Sequence, residues 1–218
     1  MAGAPAHLPA GATPGFEGST VTIPVAASFA HGWSHTEEVD FKAFMRSAVG
    51  RRARNSLGRM QFEFDIVAWE FLGRSQLLSE RLGKETHITF SLTPPPQKQP
   101  RSICFANQEG SDFPATIIYS ACYDVYLNRD KILEGQMGVA ICTAVLGLPP
   151  QNVLMAFEKP FEDGERSIAF KTGNFWGVRT ITPEEFLEGT NRAREIRGWP
   201  PLRDPYGSIF GPGTGRTA

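Results

Sequence analysis

Cysteine is scarce and poorly placed for cross-linking. Cys104, Cys122 and Cys142 are the three present, no two form a CxxC pair, and all lie in apolar stretches. They read as reduced, buried thiols, which argues against a disulfide framework or a thiolate zinc site. No apolar run approaches the roughly 18 residues of a membrane-spanning helix. The N-terminal MAGAPAHLPAGATPG has neither the apolar core nor the early basic cluster of a secretory signal. No Asn stands two positions before Ser or Thr, so no glycosylation acceptor is present. A surplus of one charge is missing too, with 22 basic against 23 acidic residues. That balance excludes a protein basic over its whole surface, although not a local patch. The expected compartment is the cytoplasm, or a particle assembled there, with no membrane partner.

What is present is glycine and proline, 22 and 17 residues among 218. Much of that excess sits at the ends and in loops, which divides the chain into an N-terminal arm at 1–18, one core domain at 19–198 and a C-terminal arm at 199–218. Within the core, TVTIPV (Thr20 to Val25) reads as an edge strand interrupted by Pro24. Phe41, Phe44, Met45, Ala48, Val49 and Leu57 approach helical spacing, which predicts a helix over Asp40 to Leu57. From Met60 the period changes to two, giving a strand through Trp69 or Phe71, followed by a short helix from Ser75 to Leu82. Strands are expected at 87–93, 101–106 and 115–127, and a second long helix at 130–146, striped by Leu133, Met137, Ala140, Ile141, Ala144 and Val145. Further strands follow at 152–157, 167–171 and 176–181. Thr182-Pro183-Glu184-Glu185 is a capping box with proline at the first helical position, and Gly198 stops the helix it begins.

Strands and helices in this order do not alternate one for one. The expected class is therefore α+β with a mainly antiparallel sheet and three to four helices, in its most specific form a helix-decorated β-sandwich or jelly roll.

The chemistry-bearing groups are thin. His31 and His35 have i, i+4 spacing, but Gly32 and Ser34 oppose a helix and no HExxH glutamate is present. Cys122 has no base beside it that sequence can identify, and Glu63 and Asp65 read as the solvated face of a strand. GPGTG from Gly211 lacks the lysine of a phosphate loop. No catalytic residue, metal site or cofactor is assigned.

Two features remain. Lys42, Arg46, Arg51, Arg52, Arg54 and Arg59 occur with no acidic residue between Asp40 and Glu63, a basic cluster suited to RNA phosphates without sequence specificity. Trp199, Leu202, Tyr206, Ile209 and Phe210 are large apolar residues spaced by turn formers, as in an arm laid across a partner. Together they favour a structural subunit of a large homomeric assembly, most concretely a viral coat protein, whose partners are copies of itself and RNA. The alternatives are a small-molecule enzyme or binding protein with a pocket between the sheet and the 130–146 helix, and an accessory subunit of a multiprotein complex.

Overall fold

The computed structural model describes residues 13–95, 98–145, 148–156 and 160–210. Twelve strands and two helices are found among them. In chain order the strands are β1 (Thr13–Phe29), β2 (Trp33–Val49), β3 (Ala53–Arg54), β4 (Met60–Ser75), β5 (Thr86–Leu92) and β6 (Ser102–Ala106). They continue with β7 (Ala115–Leu127), β8 (Asp130–Val145), β9 (Leu148–Ala156), β10 (Phe161–Glu162), β11 (Arg166–Phe170) and β12 (Gly173–Thr180). Helix α1 (Gln76–Leu82) lies between β4 and β5, and α2 (Pro183–Arg197) follows β12.

All pairings are antiparallel, and they close on themselves. The order β1-β12-β9-β8-β7-β5-β4-β2 returns to β1 through a register that runs without a break from Thr13↔Val49 to Phe29↔Trp33. Eight strands thus form a barrel, a size whose interior side chains can fill or adapt to one small ligand. The mainly antiparallel α+β class holds. The strands meet edge to edge in a ring, however, and do not stack as the two sheets of a sandwich or jelly roll.

Both long helices expected from periodicity are strands. Residues 33–49 form β2, with Val39, Phe41, Ala43 and Met45 turned into the barrel. The opposite face is covered as well: Phe44 packs beneath α2 so closely that a Cβ on Gly189 would stand 2.2 Å from its ring. A strand buried on both faces has apolar residues at odd and even positions, and these coincide with helical spacing. Residues 130–145 form β8, with Ala140, Cys142 and Ala144 buried inside and Ile141 and Val145 each 44% exposed outside. Apolar residues on both faces again imitate a helical stripe.

The other two helices form as their caps require. Ser75 accepts from the Leu78 amide and Gly83 closes α1 in the left-handed conformation. Thr182 and Glu185 exchange the reciprocal bonds of the capping box, and Gly198, at φ 74°, ends α2.

The arm boundaries shift. Residues 13–18 belong to β1, while residues 1–12 lie outside those described. The segment 199–210 lies on its own barrel. Arg46 of β2 donates to the carbonyls of Pro205 and Gly207, the latter at 2.8 Å, and Arg194 of α2 donates to those of Pro200 and Ile209 at 2.7 and 2.6 Å. Arg197 pairs with Glu70 at 2.7 Å, both side chains fully buried, and its guanidinium lies 4.3 Å from the Trp199 ring.

Candidate ligand pocket

One end of the barrel is packed with aromatic rings. Phe90 meets Phe41, Phe71, Tyr123 and Phe170 at ring-centroid distances of 5.2 to 5.6 Å, all edge-on. Ile23, Ile88 and Val125 fill the gaps between them. Edge-to-face rings of this kind pack densely and specifically.

The other end is not filled. Along β1 the interior phase reads Glu17, Ser19, Val21, Ile23, Val25 and Ala27, so a carboxyl occupies a position of the apolar series. Glu17, Ser19, Ala43, Met45, Trp69, Tyr119, Phe175 and Val178 line a pocket there. It holds about 30 Å³ of space roomy enough for water, within about 390 Å³ of atom-free volume that includes its open mouth.

Among the described residues, the only titratable side chains on this wall are Glu17 and Tyr119. The Tyr119 hydroxyl donates to Glu17 Oε2 at 3.3 Å, a long bond. Burial pushes the Glu17 carboxyl above its ordinary range, against the weaker opposing effect of that hydrogen bond. Tyr119 is pushed well above its usual value by burial and by the neighbouring carboxyl. Cys104 of β6 and Cys142 of β8 feel the same carboxyl, and burial raises them to about 11 and about 12. Both thiols face Ile117 of the strand between them, so their backbones stand two strand spacings apart, roughly 9–10 Å and beyond disulfide reach. Burial thus works against charge on every member of the cluster. Its chemistry is that of hydrogen bonding in an apolar cleft.

The basic residues expected on one helix are divided. Lys42 lies on the outer face of β2, in the groove below α2. Arg46 is buried under the C-terminal segment. Arg51, Arg52 and Arg54 stand exposed in the connection from β2 to β4, with partly buried Arg59 after them, at the barrel end nearest Glu17. Arg52 lies 5.5 Å over the Phe62 ring, and Arg54 donates to the Gly58 carbonyl at 2.7 Å.

The apolar residues of the supposed arm are docked on the same chain. Ile209 is buried, Leu202 and Phe210 pack against the core, Trp199 meets Tyr126 edge-on, and half-exposed Tyr206 meets Phe16 at 5.4 Å. His31 and His35 belong to a turn and a strand, and no metal-binding cluster of His, Cys, Asp or Glu occurs among the described residues. Glu63 is spent on an exposed ion pair with Arg101 at 2.6 Å. Gly211 and the GPGTG run lie outside the described residues. No helix among those described is long and apolar enough to cross a membrane.

Sequence reasoning missed Glu17, Trp69 and Tyr119. A usable signal existed for the first: extending the period of two back from Val25 puts Glu17 in phase with Val21 and Ile23.

The sequence matches no family model and no curated protein. Among solved structures it is similar to DynF from the dynemicin biosynthesis pathway of Micromonospora chersina. Identity is 13%, over 83% of this chain and 86% of that one, with a TM-score of 0.40. A likeness that slight carries no inference here.

Proposed function

We propose that the chain binds a small, mostly apolar molecule inside the open half of its barrel. The observation that supports this is Glu17, an acid on the interior phase of β1 with Tyr119 as its sole side-chain hydrogen-bond partner among the described residues. The fold has no use for it, since an apolar residue there would continue the series of Val21 and Ile23 without the cost of dehydrating a carboxyl. Pockets that are mostly apolar with a few convergent polar groups are the usual form of small-molecule sites. Met45 is the adaptable part of the wall, and a ligand larger than a few atoms must displace it.

The test uses N-phenylnaphthylamine, an uncharged dye that brightens in apolar surroundings. It should bind the wild-type protein and quench tryptophan emission from Trp69, and Ser19→Leu, which fills the cleft, should abolish both effects while leaving the thermal transition in place. Dye binding unchanged in Ser19→Leu would place the dye elsewhere and remove the proposal.

A homomeric coat subunit that meets RNA is the second reading. Its support is the exposed group Arg51, Arg52 and Arg54; the docked 199–210 segment contributes nothing to it.

A further inference from the structure

We infer that the outer face of β6, β7, β8 and β9 is an interface, and that its occupant is a second copy of this chain. No residue of Ser102–Ala106, Ala115–Cys122, Gln136–Val145 or Leu148–Ala156 is charged, and these four stretches lie side by side. An apolar inner phase accounts for alternate positions only. The outer phase has no such reason to avoid charge. Elsewhere the outside of the barrel is either charged, as at exposed Glu38, Asp40 and Lys42 of β2, or covered, as at Glu70 beneath Arg197 of α2.

The register gives what stands on that face instead. Ile103, Ile118, Ile141 and Leu154 are paired in one row across β6 to β9. Ile103 and Ile118 are half-buried, and Ile141 is exposed, as is Val145 two pairs further along β8. Phe105, Thr116 and Thr143 make the next row. Branched residues in rows form an even surface suited to the face of another sheet. Polar groups bound it: the isoleucine row ends at Glu63 of β4, which pairs with Arg101, and at exposed Asn174 of β12. An apolar centre within a polar rim is the anatomy of a protein–protein interface.

The face also selects its occupant. A nucleic acid requires cations, and these strands offer none. A lipid surface recruits lysine and arginine beside the apolar residues, which are equally missing. A second copy brings the same uncharged rows, so two faces meeting about a two-fold axis leave no charge unpaired. A face four strands wide, at about 4.8 Å each, and roughly 25 Å tall covers about 500 Å². Two such faces bury about 1,000 Å², the lower bound of a specific contact, so the dimer is weak, with a micromolar dissociation constant. In dilute solution the chain is a monomer, and the face contributes to association without adding to the stability of the barrel. The pocket lies on the inner phase, so the two proposals stand or fall separately.

The experiment is analytical ultracentrifugation of the full-length protein from about 1 to about 300 µM, a range that brackets a micromolar constant. The wild type should pass from monomer to dimer as concentration rises. Ile141→Glu should raise the dissociation constant at least about tenfold, because like charges then oppose each other across the axis. Thr143→Lys, at an exposed polar position of the same face, should do the same and leaves folding intact even if Ile141→Glu does not. Mixing the two variants should recover part of the association, since opposite charges then meet. Lys42→Glu, exposed on the opposite wall, should dimerise as the wild type does. A wild type that stays monomeric throughout would overturn the inference. Dimers that survive both Ile141→Glu and Thr143→Lys would overturn it too, by placing the contact elsewhere. So would a monomer that floats with neutral phosphatidylcholine vesicles, which would make a bilayer the occupant.

Discussion

The two halves of the barrel interior use much the same residue types and reach opposite results. Around Phe90, four rings each meet it edge-on, and all are apolar apart from the hydroxyl of Tyr123. Around Glu17 there are rings as well, yet Trp69, Tyr119 and Phe175 stand round a cleft. The difference lies in the small and polar residues between them. Ser19, Ala43, Ala140 and Ala144 give the open half little volume, whereas Ile23, Phe41, Ile88 and Phe170 fill the closed half. The closed half holds the barrel together, and the open half is free to serve a ligand.

The largest effect should come from breaking the closed half. Phe90→Ala removes the ring that touches four others and should cost about 3–5 kcal/mol in a denaturant titration. A loss below about 1 kcal/mol would mean the two halves are equally loose. Met45→Ala, in the open half, should cost less, about 2 kcal/mol at the low end of such truncations, and should raise dye affinity by widening the cleft. If it costs as much as Phe90→Ala, the contrast fails.

The third prediction has a sign. The folded chain holds the Glu17 proton more tightly than the unfolded chain, whose Glu titrates near the ordinary 4.5. Stability linked to this group is therefore full below that value and is lost as pH rises through the higher folded one. Glu17→Gln should remove that part of the decline, so the stability difference between variant and wild type should grow with pH and then level off. A difference independent of pH would show that Glu17 is solvated like a surface acid. The smallest effect belongs outside the barrel. Ile141→Ala, on the half-exposed outer face of β8, should change stability by less than about 0.5 kcal/mol. A larger loss would reveal a partner on that face.

How far the sequence could be read follows from the same contrast. The two helices announced by capping residues, Ser75 with Gly83 and Thr182 with Glu185 and Gly198, are where those residues imply, because a cap is a local hydrogen bond. The two helices inferred from periodicity became β2 and β8, because the rule assumes one buried face. Phe44 has α2 above it and Phe41 has the barrel below it, so both phases of β2 had to be apolar. The pocket was illegible for a related reason. Glu17, Ala43, Trp69, Tyr119 and Phe175 come from five strands, and only closure of the ring brings them together. Arg46, expected among the cations facing RNA, is buried. Nothing near it in sequence reveals that its partners are the carbonyls of Pro205 and Gly207.

Ring closure also sets a timetable for the chain as it is made. Glu17 is paired across one seam with Met45 and across the other with Thr180. The first seam can form as soon as β2 leaves the ribosome. The second must wait for more than a hundred further residues, which at ordinary rates of synthesis takes several seconds or longer. Throughout that interval the nascent chain exposes the unpaired edge of β1 and the apolar lining of a barrel with no far wall. Contacts this distant in sequence also form slowly once the chain is complete. Such a protein is at its most vulnerable before it is finished, and its yield in a cell should depend more on chaperones that shield nascent strands than on the stability of the closed barrel.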